Sequence, residues 1–217
     1  MRIDRDRYAG CTRVARPGPG EPSKRADVVE EPTLARIRAL TSKEELPPEA
    51  HAAFDSIVAS RGAVRGVLAV MMHSPEVAAR LAHLGTYLRL ESPVPAGALE
   101  LAVLTAIREF DCALEWSGHA QLAQRAAVSP AAISAIGSFG DLSGLPEEEA
   151  LIIRFGRELL RSHRVSSDTF EAVRSRYGDQ GLVDLAAIMG YYGLVANIAT
   201  VAELEPAASA TPLPARV

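Results

Sequence analysis

Three side chains able to move protons or electrons stand close together in the segment Cys112-Ala-Leu-Glu115-Trp116-Ser-Gly-His119. If this segment is helical, at about 100° per residue and with Cys112 as zero, His119 falls at about 340°, Glu115 at about 300° and Trp116 at about 40°. Leu122, Ala123 and Ala126 share that sector, whereas Ser117, Gln121, Gln124 and Arg125 lie opposite, with Leu114 the apolar exception. An amphipathic helix buries its apolar stripe, so a thiol, a carboxylate and an imidazole are expected to face the interior together. Glu115 and His119 are four apart and therefore neighbours. Burying a carboxylate is costly unless a cation or donor holds it. A structural Glu–His pair over a void is the plain alternative to an active site.

A second carboxylate joins this set. On the preceding segment Glu100 shares a sector with Val103, Leu104 and Ile107, whereas Arg108 and Glu109 point elsewhere. Glu100 is expected to face inward, although an acid in the first turn is also what a helix dipole favours. Cys112, beside a His and near a helix start, stands where thiol pKa values usually fall; a small inert core cysteine is the other reading. His119 has its reference pKa near the working range and is the best proton donor or acceptor of the group.

The elements that must position these residues read as helices throughout. Hydrophobic residues make up 48 %, charged 23 % and aromatic only 5 %, a composition that can bury a core and favours helix over sheet. Pro47-Pro48-Glu49 and Ser74-Pro75-Glu76 are helix starts. The spacing predicts helices over 75–90, from Ala96 to Phe110, and from Cys112 to Ala127 with Asp111 as cap. Further helices are predicted from Ser129-Pro130 to Ile136 and over 146–163, 167–177 and 179–204, with a loop from Gly137 to Gly144 and Gly178 ending the penultimate helix. No segment alternates long enough for a strand.

With 217 residues, against about 100–200 per domain, one helical domain over 44–205 is expected. Residues 1–43, with Arg16-Pro-Gly-Pro-Gly-Glu-Pro, read as an arm or tail, and 206–217 as a flexible end. The net charge of −4 and the lack of a basic stripe argue against a nucleic-acid partner. Neither a secretory leader nor an uninterrupted apolar run of about 18 residues is read, so a cytoplasmic protein without a membrane partner is expected. The two cysteines, Cys11 and Cys112, indicate no disulfide framework and no zinc site. A di-iron bundle would need Glu-x-x-His pairs, and His-Glu-x-x-His, Walker and dinucleotide motifs are missing as well. No metal or organic cofactor is expected.

Glu100, a gap of eleven residues, then Cys112-x-x-Glu115-x-x-x-His119 resembles the AhpD-type pattern of Glu, Cys-x-x-Cys and His, with Glu115 in place of the second cysteine. Met72-His73-Ser74-Pro75-Glu76, Tyr87-Leu88-Arg89-Leu90-Glu91-Ser92, the Glu115-Trp116 pair and Gly190-Tyr191-Tyr192 are similar to segments of longer carboxymuconolactone decarboxylase-like proteins. The resemblance spans about 45–205. It implies an all-α, AhpD-like helical bundle completed by homo-oligomerisation, as a trimer or hexamer or else a dimer.

The resemblance also bears on chemistry. An AhpD-like peroxidase cycles two thiols through a disulfide, and Glu115 removes one of them unless Cys11 serves as a remote resolver. The decarboxylase branch implies cofactor-independent acid–base work on a carboxylated lactone, with His119, Glu115, Cys112 and Glu100 as the catalytic set. Arg65 and Arg89 are then candidate carboxylate anchors, Trp116, Tyr87, Tyr191 and Tyr192 candidate pocket walls, and His73 a further pocket candidate. Decarboxylation, isomerisation, elimination and lactone opening would use the same groups. A thiol-dependent peroxidase or redox sensor on Cys112, and a non-catalytic binding protein, stand as alternatives.

Overall fold

The computed structural model describes residues 35–216, and every regular element among them is helical. Eight α-helices follow one another: α1 His51–Arg61, α2 Val67–Met71, α3 Pro75–Thr86, α4 Ala96–Glu109, α5 Ala113–Arg125, α6 Pro130–Ser138, α7 Glu147–Arg161 and α8 Ser167–Ala202. The centre is α4, in which every residue from Ala98 to Arg108 is buried. Its sequence, rich in Ala and Leu with a single acid in the first half, is largely apolar all round, as a helix enclosed by others must be. Helices α5, α7 and α8 pack around it, and α1 pairs with α3 at one end.

Local chemistry sets the boundaries. Ser129 accepts from the Ala132 amide at 3.1 Å and Ser166 from the Thr169 amide at 3.3 Å, satisfying donors that a helix start leaves open. Glu147, Glu148 and Glu149 open α7 where the dipole favours acids. Gly178, at φ 69° and ψ 176°, interrupts α8 in a conformation that glycine adopts without steric cost; α8 is thus two helical arms that meet at this non-helical residue, where the sequence predicts a break between two helices. By length and composition α8 could cross a membrane, but 56 % of its most apolar stretch is buried inside the protein.

Several expectations change. The helix predicted over 75–90 ends at Thr86 and gives way to a wider π turn, Tyr87–Glu91. The Ser92 amide closes that turn on the Tyr87 carbonyl at 2.9 Å, five residues back. Asp111 does not cap α5: it takes φ 50°, its carboxylate pairs with Arg108 and Arg216, and Cys112 occupies the N-cap. Arg108, expected to point away, is 3 % exposed, its guanidinium lying 4.5 Å over the Phe139 ring.

The ordered body also reaches beyond 44–205. The Arg36 amide bonds the Ala202 carbonyl at 2.8 Å, the Leu40 amide bonds that of Ala69 at 2.9 Å, and Leu40 is buried. Residues 206–216, expected as a loose end, are docked without regular structure: the Thr211 amide donates to Ser117 Oγ at 3.0 Å and Leu213 packs on the core. Most of the predicted arm, with Cys11, lies outside the described residues.

Candidate active site

Glu100 in the first half of α4 and His119 in the middle of α5 meet in the interior, where their side chains are 2 % and 6 % exposed. His119 Nδ1 and Glu100 Oε2 are 2.8 Å apart. The tautomer consistent with this places the proton on Nδ1, donated to the carboxylate, and leaves Nε2 as an acceptor. On the far side of the ring the hydroxyl of Tyr192, from α8, lies 2.8 Å from Nε2. Burial pushes the Tyr192 pKa well above the usual phenol value, with the carboxylates of Glu115 and Glu100 pushing the same way and Arg89 opposing. Tyr192 is therefore a neutral donor, and the three side chains form a chain of hydrogen bonds from Tyr192 through His119 to Glu100. The other oxygen of Glu100, Oε1, is buried without a hydrogen-bond partner.

Glu115 sits one turn before His119, its Oε2 3.8 Å from Nε2 and its side chain 27 % exposed. It flanks the imidazole at more than hydrogen-bonding distance and faces a cavity rather than the core. That cavity, of about 440 Å³, is lined by Glu115, His119, Tyr191 and Tyr192, by the three arginines Arg61, Arg65 and Arg89, and by apolar residues that include Leu81, Leu114, Leu122 and Val195. Its size suits a small organic ligand, for which pockets run on the order of 300–1,000 Å³. Among the described residues no group of three or more His, Cys, Asp or Glu stands close enough to hold a metal ion.

Of the other candidates, Cys112, Trp116, Tyr87 and His73 lie off the cavity wall. Cys112 is 5 % exposed and absent from the cavity wall. Its pKa is pushed up to about 11, first by burial and then by the charge of Glu115, against the lowering effect of backbone amides at the start of α5. The expected depression of this thiol is thus reversed, because desolvation outweighs the helix terminus. Trp116, 2 % exposed, is about 100° around the helix from Glu115 and turns to the side of α6, near Gly137 and Pro214. Tyr87 and Arg89 are two apart and cannot share a helix face: Arg89 takes the cavity wall, whereas the Tyr87 hydroxyl bonds Asp184 at 3.2 Å. His73 is exposed and bonds the Arg38 carbonyl at 2.9 Å. Arg65 reaches the cavity from an exposed position.

Arg61 and Gly85 are among the cavity residues that escaped the sequence reading. Arg61 looks like an ordinary basic residue at a helix C-terminus, and Gly85 like an unremarked glycine inside α3. Only the packing of α3 against α1 and α8 reveals either.

Solved structures share this arrangement of helices. The debrominase Bmp8 without ligand superposes with a TM-score of 0.60 at 15 % identity, over 78 % of this chain and 92 % of that one. A cysteine-to-alanine variant of the same debrominase in complex with 2,3,4-tribromopyrrole gives 0.61 at 14 %, over 80 % and 94 %. The alkylhydroperoxidase AhpD core of an uncharacterized peroxidase-related protein from Ralstonia eutropha JMP134 gives 0.62 at 18 %, over 79 % and 95 %. No protein-family model matches the chain, and no curated protein matches it in sequence. The chain has the AhpD-like helical fold, as its resemblance in sequence implied.

Proposed function

We propose that this protein is a cofactor-independent enzyme that moves protons on a small oxygenated, carboxylated organic substrate, in a reaction of the carboxymuconolactone decarboxylase type. The observation that supports it most is the hydrogen-bonded chain Glu100–His119–Tyr192 opening onto a cavity that carries Glu115 and three arginines. Glu100 accepts a hydrogen bond from Nδ1–H, which fixes the tautomer and turns the Nε2 lone pair to the Tyr192 hydroxyl. As negative charge builds on a substrate oxygen during loss of a carboxylate or opening of a lactone, the Tyr192 hydroxyl turns its single proton from Nε2 to that oxygen, which leaves the Nε2 lone pair of His119 to take up a proton from the substrate. Glu115, beside Nε2, is the second proton carrier.

The thiol-based alternative has less support. Cys112 is buried, off the cavity wall and hard to ionise, and a peroxidase needs an accessible thiolate. The debrominase and the peroxidase-related protein similar in fold share at most 18 % identity with this chain, too little to carry a reaction across.

A panel of carboxylated unsaturated lactones, followed by ultraviolet absorbance and CO₂ release, tests the proposal. Replacing His119 by Ala should lower turnover by about 10²–10⁴-fold with helical content intact by circular dichroism, and Glu100→Gln should lower kcat with little change in KM. Wild-type turnover in both variants would overturn it.

A further inference from the structure

The cavity wall holds a guanidinium that the proton chain does not use. Arg61 ends α1 and reaches across to α3, where Nη2 donates to the Ala82 carbonyl at 3.2 Å while Nε is buried without a hydrogen-bond partner. Gly85 of α3 faces it. A Cβ built at Gly85 would come within 2.5 Å of Arg61 Nη2 and within 2.5 Å of the Tyr191 hydroxyl, so that a methyl there would displace the tips of both side chains. The missing methyl is the space in which these two polar groups from α1 and α8 converge. Arg89 lines the same cavity, and its charge reaches Tyr191 as does that of Arg61.

The rest of the wall is different in character. Leu114, Leu122 and Val195, from α5 and α8, give an apolar surface beside His119. A cavity lined by both cations and hydrocarbon favours a molecule with an anionic group and an apolar body, because the charge is paired with a guanidinium and the hydrocarbon is removed from water.

We infer that Arg61 and the Tyr191 hydroxyl, brought together at Gly85, form the seat for the carboxylate of an organic acid whose apolar body lies against Leu114, Leu122 and Val195. This rests on the proposed reaction for its catalytic meaning and names what selects the substrate. Arg61 acts as a specificity-determining residue, with Gly85 as the position that admits it.

Benzoate and its uncharged analogue benzamide, titrated by calorimetry and by thermal shift, test the seat without any need for turnover. Benzoate should bind and raise Tm, and benzamide should bind at least tenfold more weakly. Arg61→Gln should weaken benzoate binding at least tenfold, and Gly85→Ala should do the same by forcing Arg61 and Tyr191 apart. Should Gly85→Ala fail to fold, Tyr191→Phe reports on the same seat and should weaken benzoate binding severalfold. Glu100→Gln, which changes the proton chain behind His119 and not the wall, should bind benzoate as the wild type does. Loss of turnover in that variant with binding preserved separates the two readings. Equal binding of benzoate and benzamide, or an Arg61→Gln protein that binds benzoate within twofold of wild type, overturns the inference.

Discussion

At the scale of single residues, the protein places unlike environments a few ångströms apart. Glu100 is enclosed and tied to His119, while Glu115 on the same imidazole keeps a quarter of its side chain in the cavity. Cys112, one position before α5, is driven the opposite way from a reactive cysteine. In a Cys11→Ser background, Cys112 should react with a thiol reagent at pH 8 at least tenfold more slowly than the same residue in the unfolded chain, measured by mass spectrometry. The shift also sets a sign for stability. The unfolded thiol ionises near pH 8.5, so the folded state holds its proton more tightly, and the stability tied to it is complete below about 8.5. It is then lost as pH rises toward 11. Urea denaturation between pH 8 and 11 should show this decline, and Cys112→Ala should flatten it. Much of the residue set was legible: the wheel placed Cys112 and His119 inside, and the spacing singled out Glu100. The partners were not legible. Tyr192 was marked as a possible wall, but nothing in the sequence says that a hydroxyl 73 positions away meets Nε2.

At the scale of elements, helix existence followed from apolar periodicity and capping residues, and the departures trace to tertiary contacts. The π turn after α3 is the clearest. The Asp184 carboxylate, buried in α8, bonds the Tyr87 hydroxyl at the start of the turn and the Ser92 hydroxyl at its end, the latter at 2.7 Å. One acid thus clamps both ends of the segment that carries Arg89. No local signal in Tyr87-Leu88-Arg89-Leu90-Glu91 announces this, because the clamp comes from the far end of the chain. Asp184→Ala leaves two hydroxyls without their acceptor at about 1–3 kcal/mol each. Urea denaturation should show a loss of at least about 1 kcal/mol, and benzoate binding should weaken as the Tyr87–Glu91 turn in the cavity wall loosens. Asp184→Asn, which retains an acceptor oxygen, should recover part of both.

At the scale of the whole molecule, the helical core was readable because apolar content and turn residues partition the chain so plainly, whereas the docking of its ends was not. Residues 206–216 are mostly Ala, Pro, Thr and Ser, with no period to betray a partner. They are held instead by one backbone amide on Ser117, by Leu213 on the core, and by Arg216, which pairs with Asp111 and lies 4.8 Å over Phe139. Phe139 already carries Arg108 and Arg161, so three cations share one ring. Partial burial of Leu213 contributes less than the roughly 1.5–3 kcal/mol of a fully buried aliphatic side chain, and the fold should survive removal of this segment.

Trp116 is the only indole in the sequence, and it lies on α5, beside Gly137 of α6 and Pro214 of that docked segment. The protein therefore carries its own optical probe at the seam. Ending the chain after Glu205 should shift its fluorescence emission to longer wavelength and make it quenchable by iodide, while circular dichroism keeps the helices. Unchanged emission would mean that the indole is shielded by α6 alone. In the full chain the same signal can report, in real time and without a label, whether filling the cavity on one side of α5 is felt on the other.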